Sequence, residues 1–328
     1  MRKIFLILLP AVLLTSCGQS GASVIKSGWV INDISGSGAV QMDDGKIAPE
    51  YDTPPPDASK LPVEYGPFFL PIGSDMQSVT LNYFTSIPKK TVVFFSMAGD
   101  IDWVRKDNNL SAFHQMAFQQ LEESAVYRFE LQTESQTLQK ISSIKTVPYG
   151  NVFQFTFGIT KITDQKIEAQ SMPNFMILMS DKDSMSAGEF EQFYRNNSAL
   201  LSSTIIIPAF ALHYDGKNIS PGKDGYYYIE YRNTHIVIIT REYDGYGWIA
   251  KFMSDQPNHK NFIVIGNLSK ESTAKITQTY YSKTQGIFTL HKTGIPGTEA
   301  VEGYKWFVIE NGPNMGASAP KAGKSDGW

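Results

Sequence analysis

Hydrophobic and polar positions change rhythm along the chain. Between Ser78 and Val147, short stretches alternate or run apolar with brief polar gaps: "VTLNYFTS", "KTVVFFSM", "HQMAFQQL", "AVYRFELQTES" and "QKISSIKTV". Such period-two runs predict β-strands, and several in a row with no helix between them predict a small sandwich. After Gly150, strand-like and helix-like runs take turns. "VFQFTFGITKI", "NFMILMS", "TIIIPAFAL", "NFIVIGNL", "GIFTLHKT" and "GYKWFVIENG" read as strands, and "GYYYIEYRNTHIVIIT" as a hairpin closing over Arg232 and Asn233. Phe190, Phe193, Tyr194 and Leu201 share one face at helical spacing, which predicts a helix over 187–201 capped by Ser184 or Ser186. "WIAKFMSD" and "TAKITQTYYSKT" predict further helices. This alternation implies a layered α/β domain with mixed sheets.

The ends have a different texture. From Gly18 to Pro71 the chain is rich in Gly, Ser, Asp and Pro, with "YDTPPPDASKLP" in the middle. Prolines lack the backbone donor and favour extended chain, so this part reads as a spacer. Within it, "GWVINDISGSGAVQMDDGKI" predicts a hairpin turning at Asp44-Gly45. Periodicity fades after Asn311, predicting a loose tail over 313–328.

The first residues, "MRKIFLILLPAVLLTSC", place two cations before an apolar run too short to anchor in a bilayer, then small residues. That is the layout of a secretory signal over 1–16. Leu14, Thr15, Ser16 and Cys17 resemble the lipobox of bacterial lipoproteins, and Cys17 is the only cysteine in the chain. The resemblance implies diacylation of Cys17 and a tethered, otherwise water-soluble protein; one acyl chain alone holds only marginally. Gly18 in place of aspartate implies the outer membrane where the host has one. With no second cysteine, no disulfide braces the exported part. The chain holds 29 Lys and Arg against 32 Asp and Glu, a formal charge of −3, and loss of Arg2 and Lys3 with the signal makes it more negative. Nucleic acid and anionic lipid are thereby disfavoured as the main partner.

"VTLNYFTSIPKKTVVFF" followed by "HQMAFQQLEESAVYRFEL" resembles a fibronectin type III module, with Leu121 and Tyr127 at the module's leucine and tyrosine positions. From Val152 to Gly312 the elements resemble the metallophosphoesterase (calcineurin-like) fold of purple acid phosphatases. "PNFMILMSD", "EFEQFYRNNSALLSSTIIIPAFALHYDG" and "GYYYIEYRNTHIVIIT" carry that likeness. The fold class so implied is α+β or all-β in two domains: a fibronectin III-like β-sandwich over 72–148, then a four-layer α/β sandwich with mixed sheets over 149–312. A lipid-anchored spacer over 17–71 precedes them.

The family's chemistry needs two cations about 3.5–4 Å apart, held by oxygen and nitrogen ligands from several strand ends. Position by position, the ligands are missing. The aspartate after glycine on the first strand is Ile159 after Gly158. Asp181 matches the bridging aspartate, but Ser180 precedes it and Ser184 stands at the tyrosine position. Gly-Asn-His-Asp becomes Ala211, Leu212, His213 and Tyr214; the next histidine is Gly266 or Asn267. His291 remains near Thr289 and Leu290 where the family has Gly-His-x-His. Asp181 reads as a turn or capping residue in preference to a ligand, and His213 as a hydrogen-bonded surface residue in a loop. His235 reads as a half-buried strand histidine, His259 as solvated, and His114 matches no ligand position. Gly99-Asp100 in "FFSMAGDIDW" reads as a loop between strands, with Asp102 in place of a following histidine.

No Gly-x-Ser-x-Gly elbow or P-loop is present. Tyr243, Tyr246 and Trp248 in "YDGYGW" are candidates for an exposed aromatic binding loop. The sequence therefore predicts a lipid-anchored envelope protein with no catalytic residues and no cofactor. Its partners are the membrane, through the lipid, and another envelope protein or a glycan, not nucleic acid. Two alternatives stand beside this: a divergent phosphoesterase using one divalent metal ion at Asp181, His213 and His291, and a glycan-binding protein using the aromatic loop.

Overall fold

The computed structural model describes residues 64–74, 76–97, 103–122, 125–133, 138–146, 154–169, 172–221, 225–231, 234–255, 261–280, 284–310 and 321–322. In chain order, the first eight strands are β1 (Tyr65–Pro71), β2 (Val79–Met97), β3 (Trp103–Phe118), β4 (Val126–Thr133), β5 (Leu138–Lys145), β6 (Gln154–Lys161), β7 (Phe175–Met179) and β8 (Ser184–Ser186). Helices α1 (Ala187–Asn196) and α2 (Ser198–Leu201) follow, then β9 (Ile205–Pro208), β10 (Ala211–Tyr214), β11 (Lys217–Asn218), β12 (Tyr226–Tyr231) and β13 (Thr234–Ile239). Next are α3 (Glu242–Asp255), β14 (Asn261–Gly266), α4 (Lys270–Tyr280), β15 (Thr284–Thr289), β16 (Thr298–Ala300), β17 (Lys305–Glu310) and β18 (Lys321–Ala322).

The protein is β-rich, with mixed sheets and few helices. A large sheet runs β18-β17-β6-β7-β9-β1-β2-β4-β5, with β3 on the other side of β2. A second sheet runs β12-β13-β14-β15-β16, parallel from β13 to β16, and a small third sheet runs β11-β10-β8. Three apolar clusters hold these in layers. Phe69, Val93, Phe129, Ile159 and Ile177 of the large sheet pack with Ile229, Ile236 and Ile263 of the second. The other face of the large sheet, through Phe68, Met176 and Leu178, is covered by Phe190, Phe193 and Tyr194 of α1 and Leu212 of the small sheet. Ile249 and Met253 of α3 and Ile276 of α4 cover Val237, Val264 and Ile287 on the back of the second sheet. Helix, sheet, sheet, helix is the order of layers. Strands buried on both faces explain the unbroken apolar runs of β7 and β9.

The strands of 79–145 are continuous with the large sheet, and β2 and β3 fold over so that Phe118, paired beside Val79, packs on Phe95 and Phe129 with ring centres 4.8 and 5.1 Å apart. "VTLNYFTS" and "KTVVFFSM" are one 19-residue strand, β2, which pairs with β1 near its start and with β4 near its end. β1 then joins β9 in parallel, so the region is built into the large sheet. The leucine-to-tyrosine corner is formed: Leu121 and Tyr127 are buried, and Glu122 N donates to Tyr127 Oη at 2.9 Å. The spacer expected up to Pro71 ends earlier, because Tyr65–Pro71 is a fully buried strand. Its prolines misled the reading. Pro67 sits where the β1–β2 register shifts between Tyr65 and Phe68, a place where a missing donor breaks no ladder. Beside it, Gly66 holds φ +108 with Tyr83 Cβ 2.7 Å from where a side chain would begin, so only glycine fits.

Ser186, not Ser184, caps α1, in a capping box with Glu189. The expected single helix over 187–201 breaks at Asn197, whose side chain accepts from Ile167 N at 2.6 Å. The tail is not wholly irregular, since Lys321–Ala322 pairs with β17. No helix among the described residues is long and apolar enough to cross a membrane. Residues 1–63, and with them Cys17 and the Asp44-Gly45 turn, lie outside the described residues, as do Gly99-Asp100, Asp102 and His259.

Candidate strand-end site

Parallel strands β6, β7 and β9 end on one side of the large sheet, and β14 and β15 end in the second. The carboxyl ends of open α/β sheets are where ligands bind, because loops diverge there and leave a crevice. Asp181 follows β7 at this edge. Its carboxylate is exposed and Lys161 Nζ, from the end of β6, lies 2.5 Å from Oδ2. Asn267, after β14, reaches Asp181 O at 3.5 Å, the long limit of a hydrogen bond, and so touches the first sheet from the second. Next to it, Lys182 pairs with Glu189 at 2.5 Å. Glu189 also accepts from Ser186 N and Oγ, and these bonds, with the Lys182 contact foremost, lower its pKa to about 2.

The positions where the resemblance asks for ligands are used for packing. Ile159 is wholly buried between the two large sheets. Leu212 is buried under the outer layer. Gly266 has no room for any side chain: a Cβ there would fall 2.8 Å from Ile239 Cβ and 2.9 Å from Ile239 O. Thr289 is buried with its hydroxyl clamped on Leu268, donating to the carbonyl at 3.0 Å and accepting from the amide at 3.3 Å. His213 is not in a loop as expected. It lies on β10, opposite Ser186 of β8 and Asn218 of β11, in the small outer sheet, and is half-buried. His291 follows β15 and is exposed. Among the described residues no group of three or more His, Cys, Asp and Glu side chains is gathered that could hold a metal ion. The residues present do not fit a two-metal centre: a lysine already neutralises the bridging-type aspartate, and an ammonium and a cation compete for the same oxygens.

The aromatic loop is also different from the expectation. Tyr243, Tyr246 and Trp248 fall within α3. Asp244, Gly245 and Gly247 read as turn residues, but Ile249 and Met253 gain burial against the second sheet only if the segment is helical. That burial outweighs about 1 kcal/mol per helical glycine.

One polar cluster escaped the sequence reading. His114 of β3 is wholly buried, stacked on Tyr83 of β2 with ring centres 4.6 Å apart, and its Nδ1 lies 2.7 Å from Asp107 Oδ2. Thr91 Oγ1 approaches the same Nδ1 at 3.4 Å and hydrogen-bonds Tyr83 Oη. Burial raises the Tyr83 pKa far above its ordinary value. These are the residue types of a nucleophile, a base and an acid, yet their wiring is wrong. A triad needs hydroxyl and carboxylate on opposite ring nitrogens, whereas both meet Nδ1 and Nε2 has no partner. Tyr83 and Thr91 floor a notch where β1 has ended at Tyr65 and β4 at Thr133, so that the edge of β2 between Phe84 and Thr91 is left without a strand among the described residues. A register shift in β2–β3 hid this pairing from the sequence. His235, expected half-buried, is 1% exposed, lying flat on Phe262 and edge-on to Phe252.

No family model matches the chain, and no curated protein matches it in sequence. Among solved structures, it is similar to purple acid phosphatase PPD1 from yellow lupin (Lupinus luteus) seeds, with a TM-score of 0.45 and 12% identity, over 63% of this chain and 51% of that one. The chain thus spans about half the length of that phosphatase. A myokine aligns with a TM-score of 0.22 and 9% identity over 26% of this chain and 98% of its own. The sensor domain of the anti-sigma factor RsgI4 of Pseudobacteroides cellulosolvens aligns with a TM-score of 0.21 and 10% identity, over 25% and 94%.

Proposed function

We propose that the protein works by binding within the bacterial cell envelope, held to the membrane by lipid on Cys17, and that it does not hydrolyse phosphate esters. The observation that supports the second part is what became of the ligand positions. Ile159 and Leu212 are core, Gly266 has no space for a side chain, and Asp181 is ion-paired with Lys161. The layer order and the convergence of β6, β7, β14 and β15 support a metallophosphoesterase-like sandwich turned to binding, since a fold and the chemistry performed on it are separable. The tether rests on the Leu14–Cys17 motif at the end of the apolar leader. Another envelope protein or a glycan is the partner class in this reading.

The deciding experiment incubates the purified protein with manganese, iron or zinc, then measures bound metal and turnover of a chromogenic phosphate ester. Neither should exceed the blank. One equivalent of metal, with turnover abolished by Asp181→Ala, would establish instead the single-metal phosphoesterase using Asp181, His213 and His291. For the tether, palmitate labelling in cells should be lost with Cys17→Ala.

A further inference from the structure

Arg105 is a buried cation with no counter-charge among the described residues. It lies on β3 opposite Val93, in the distal half of the β2–β3 hairpin, and is 8% exposed. The guanidinium carbon stands 5.9 Å from the centre of the Phe118 ring. Its Nε and Nη2 are both closed to solvent and have no hydrogen-bond partner among the described residues. Burial draws its pKa down to about 10. Asp107, two residues on, is taken by His114 at 2.7 Å.

A charge in this state is costly, because removal from water is not offset by a partner. The chemistry of the unpaired atoms is specific. Nε and Nη2 form one edge of the planar guanidinium, the edge that meets two coplanar oxygens at once. One unpaired cation among Val93, Phe118 and the core is balanced by one negative charge, so a monoanion suits it better than a dianionic phosphate. β3 is an edge strand, with β2 as its one strand neighbour among the described residues.

We propose that Arg105 anchors a monocarboxylate on its Nε–Nη2 edge, with the apolar part of the ligand against the neighbouring core. The site is separate from the strand-end cleft and stands or falls without it. Two signatures follow. Because the free protein carries an uncompensated charge, Arg105→Met should be at least as stable as the parent without ligand, whereas an arginine serving only the fold would lose stability on truncation. In titrations with sodium butyrate, and with sodium phosphate as the second arm, at constant ionic strength, the parent's unfolding midpoint should rise saturably with butyrate, by about 2 °C or more, because a ligand of the native state alone stabilises by mass action. Arg105→Lys keeps the charge but loses the fork, and should weaken the apparent butyrate affinity at least tenfold. A parent midpoint indifferent to butyrate, an equal rise in Arg105→Lys, or a larger rise with phosphate would overturn the proposal. So would a loss of stability in Arg105→Met matched by Asp100→Asn or Asp102→Asn, since the chain's own carboxylate would then fill the fork.

Discussion

Lys161 Nζ lies 2.5 Å from Asp181 Oδ2, joining the ends of two adjacent parallel strands. The pair neutralises the carboxylate at the end of β7. Both groups are well exposed, with side-chain exposures of 31% and 57%, so solvent screens the attraction. Asp181→Asn is expected to change stability by less than about 1 kcal/mol in urea unfolding. Lys161→Met should likewise leave manganese binding undetectable by calorimetry, because removing the lysine restores no ligand at Ile159, Leu212 or Gly266.

Adding any side chain at Gly266 should harm the fold. Gly266→Ala puts a methyl 2.8 Å from Ile239 Cβ and 2.9 Å from its carbonyl oxygen, and neither backbone nor Cβ can swing aside. Overpacking of this kind costs about 1–3 kcal/mol, and Gly266→His should cost more. Chemical denaturation of the two variants checks the order.

The buried imidazole depends on its carboxylate. Asp107→Ala removes the nearer partner of His114 Nδ1 and leaves that nitrogen only the long Thr91 Oγ1 contact at 3.4 Å, with Nε2 unpartnered among the described residues. A buried group so orphaned costs about 1–3 kcal/mol. His114→Phe, which takes away the polar need and keeps the stack on Tyr83, should cost less than Asp107→Ala in the same assay.

The cap of α1 gives an acid-dependent signature. Glu189 has its pKa lowered to about 2 by Lys182 and Ser186, so its contribution is present above the usual carboxylate range and is lost as pH falls towards about 2. The group is largely exposed, so the effect is small. Ser186→Ala should cost about 0.5–2 kcal/mol at neutral pH. In Glu189→Gln the slope of stability between about pH 4 and pH 2 should flatten, measured by urea midpoints across that interval.

What the sequence disclosed follows from which patterns burial leaves visible. β7, β9, β13 and β14 are buried on both faces and appear as apolar runs that nothing else resembles. β1 was hidden because Pro67 and Pro71 mimic a linker, whereas the two strand-like runs of β2 stood apart because the strand folds over near Pro88, Lys89 and Lys90, where its register breaks and beyond which Phe95 meets Phe118. That Ile159, Leu212 and Gly266 serve packing fits residue identities which by themselves exclude them as metal donors. Lys161 was within reach as well: it stands two residues from Ile159 on the same strand, hence on the same face, one step nearer the crevice. His114 was not, because its partners Asp107, Thr91 and Tyr83 come together only across an irregular register that spacing does not encode.

The place of β1 in the large sheet also dictates the order in which the chain can be assembled. Phe69 finds Leu81 of β2 a few residues downstream, but its other neighbour, Ile205 of β9, is made only after most of the chain has followed. Until then one margin of a wholly apolar strand is bare. Closure of so long a loop is slow, and unpaired margins invite wrong partners meanwhile. A chain cut near residue 148 should therefore yield neither half in soluble form, and in cells a holding chaperone has the greatest effect before β9 arrives.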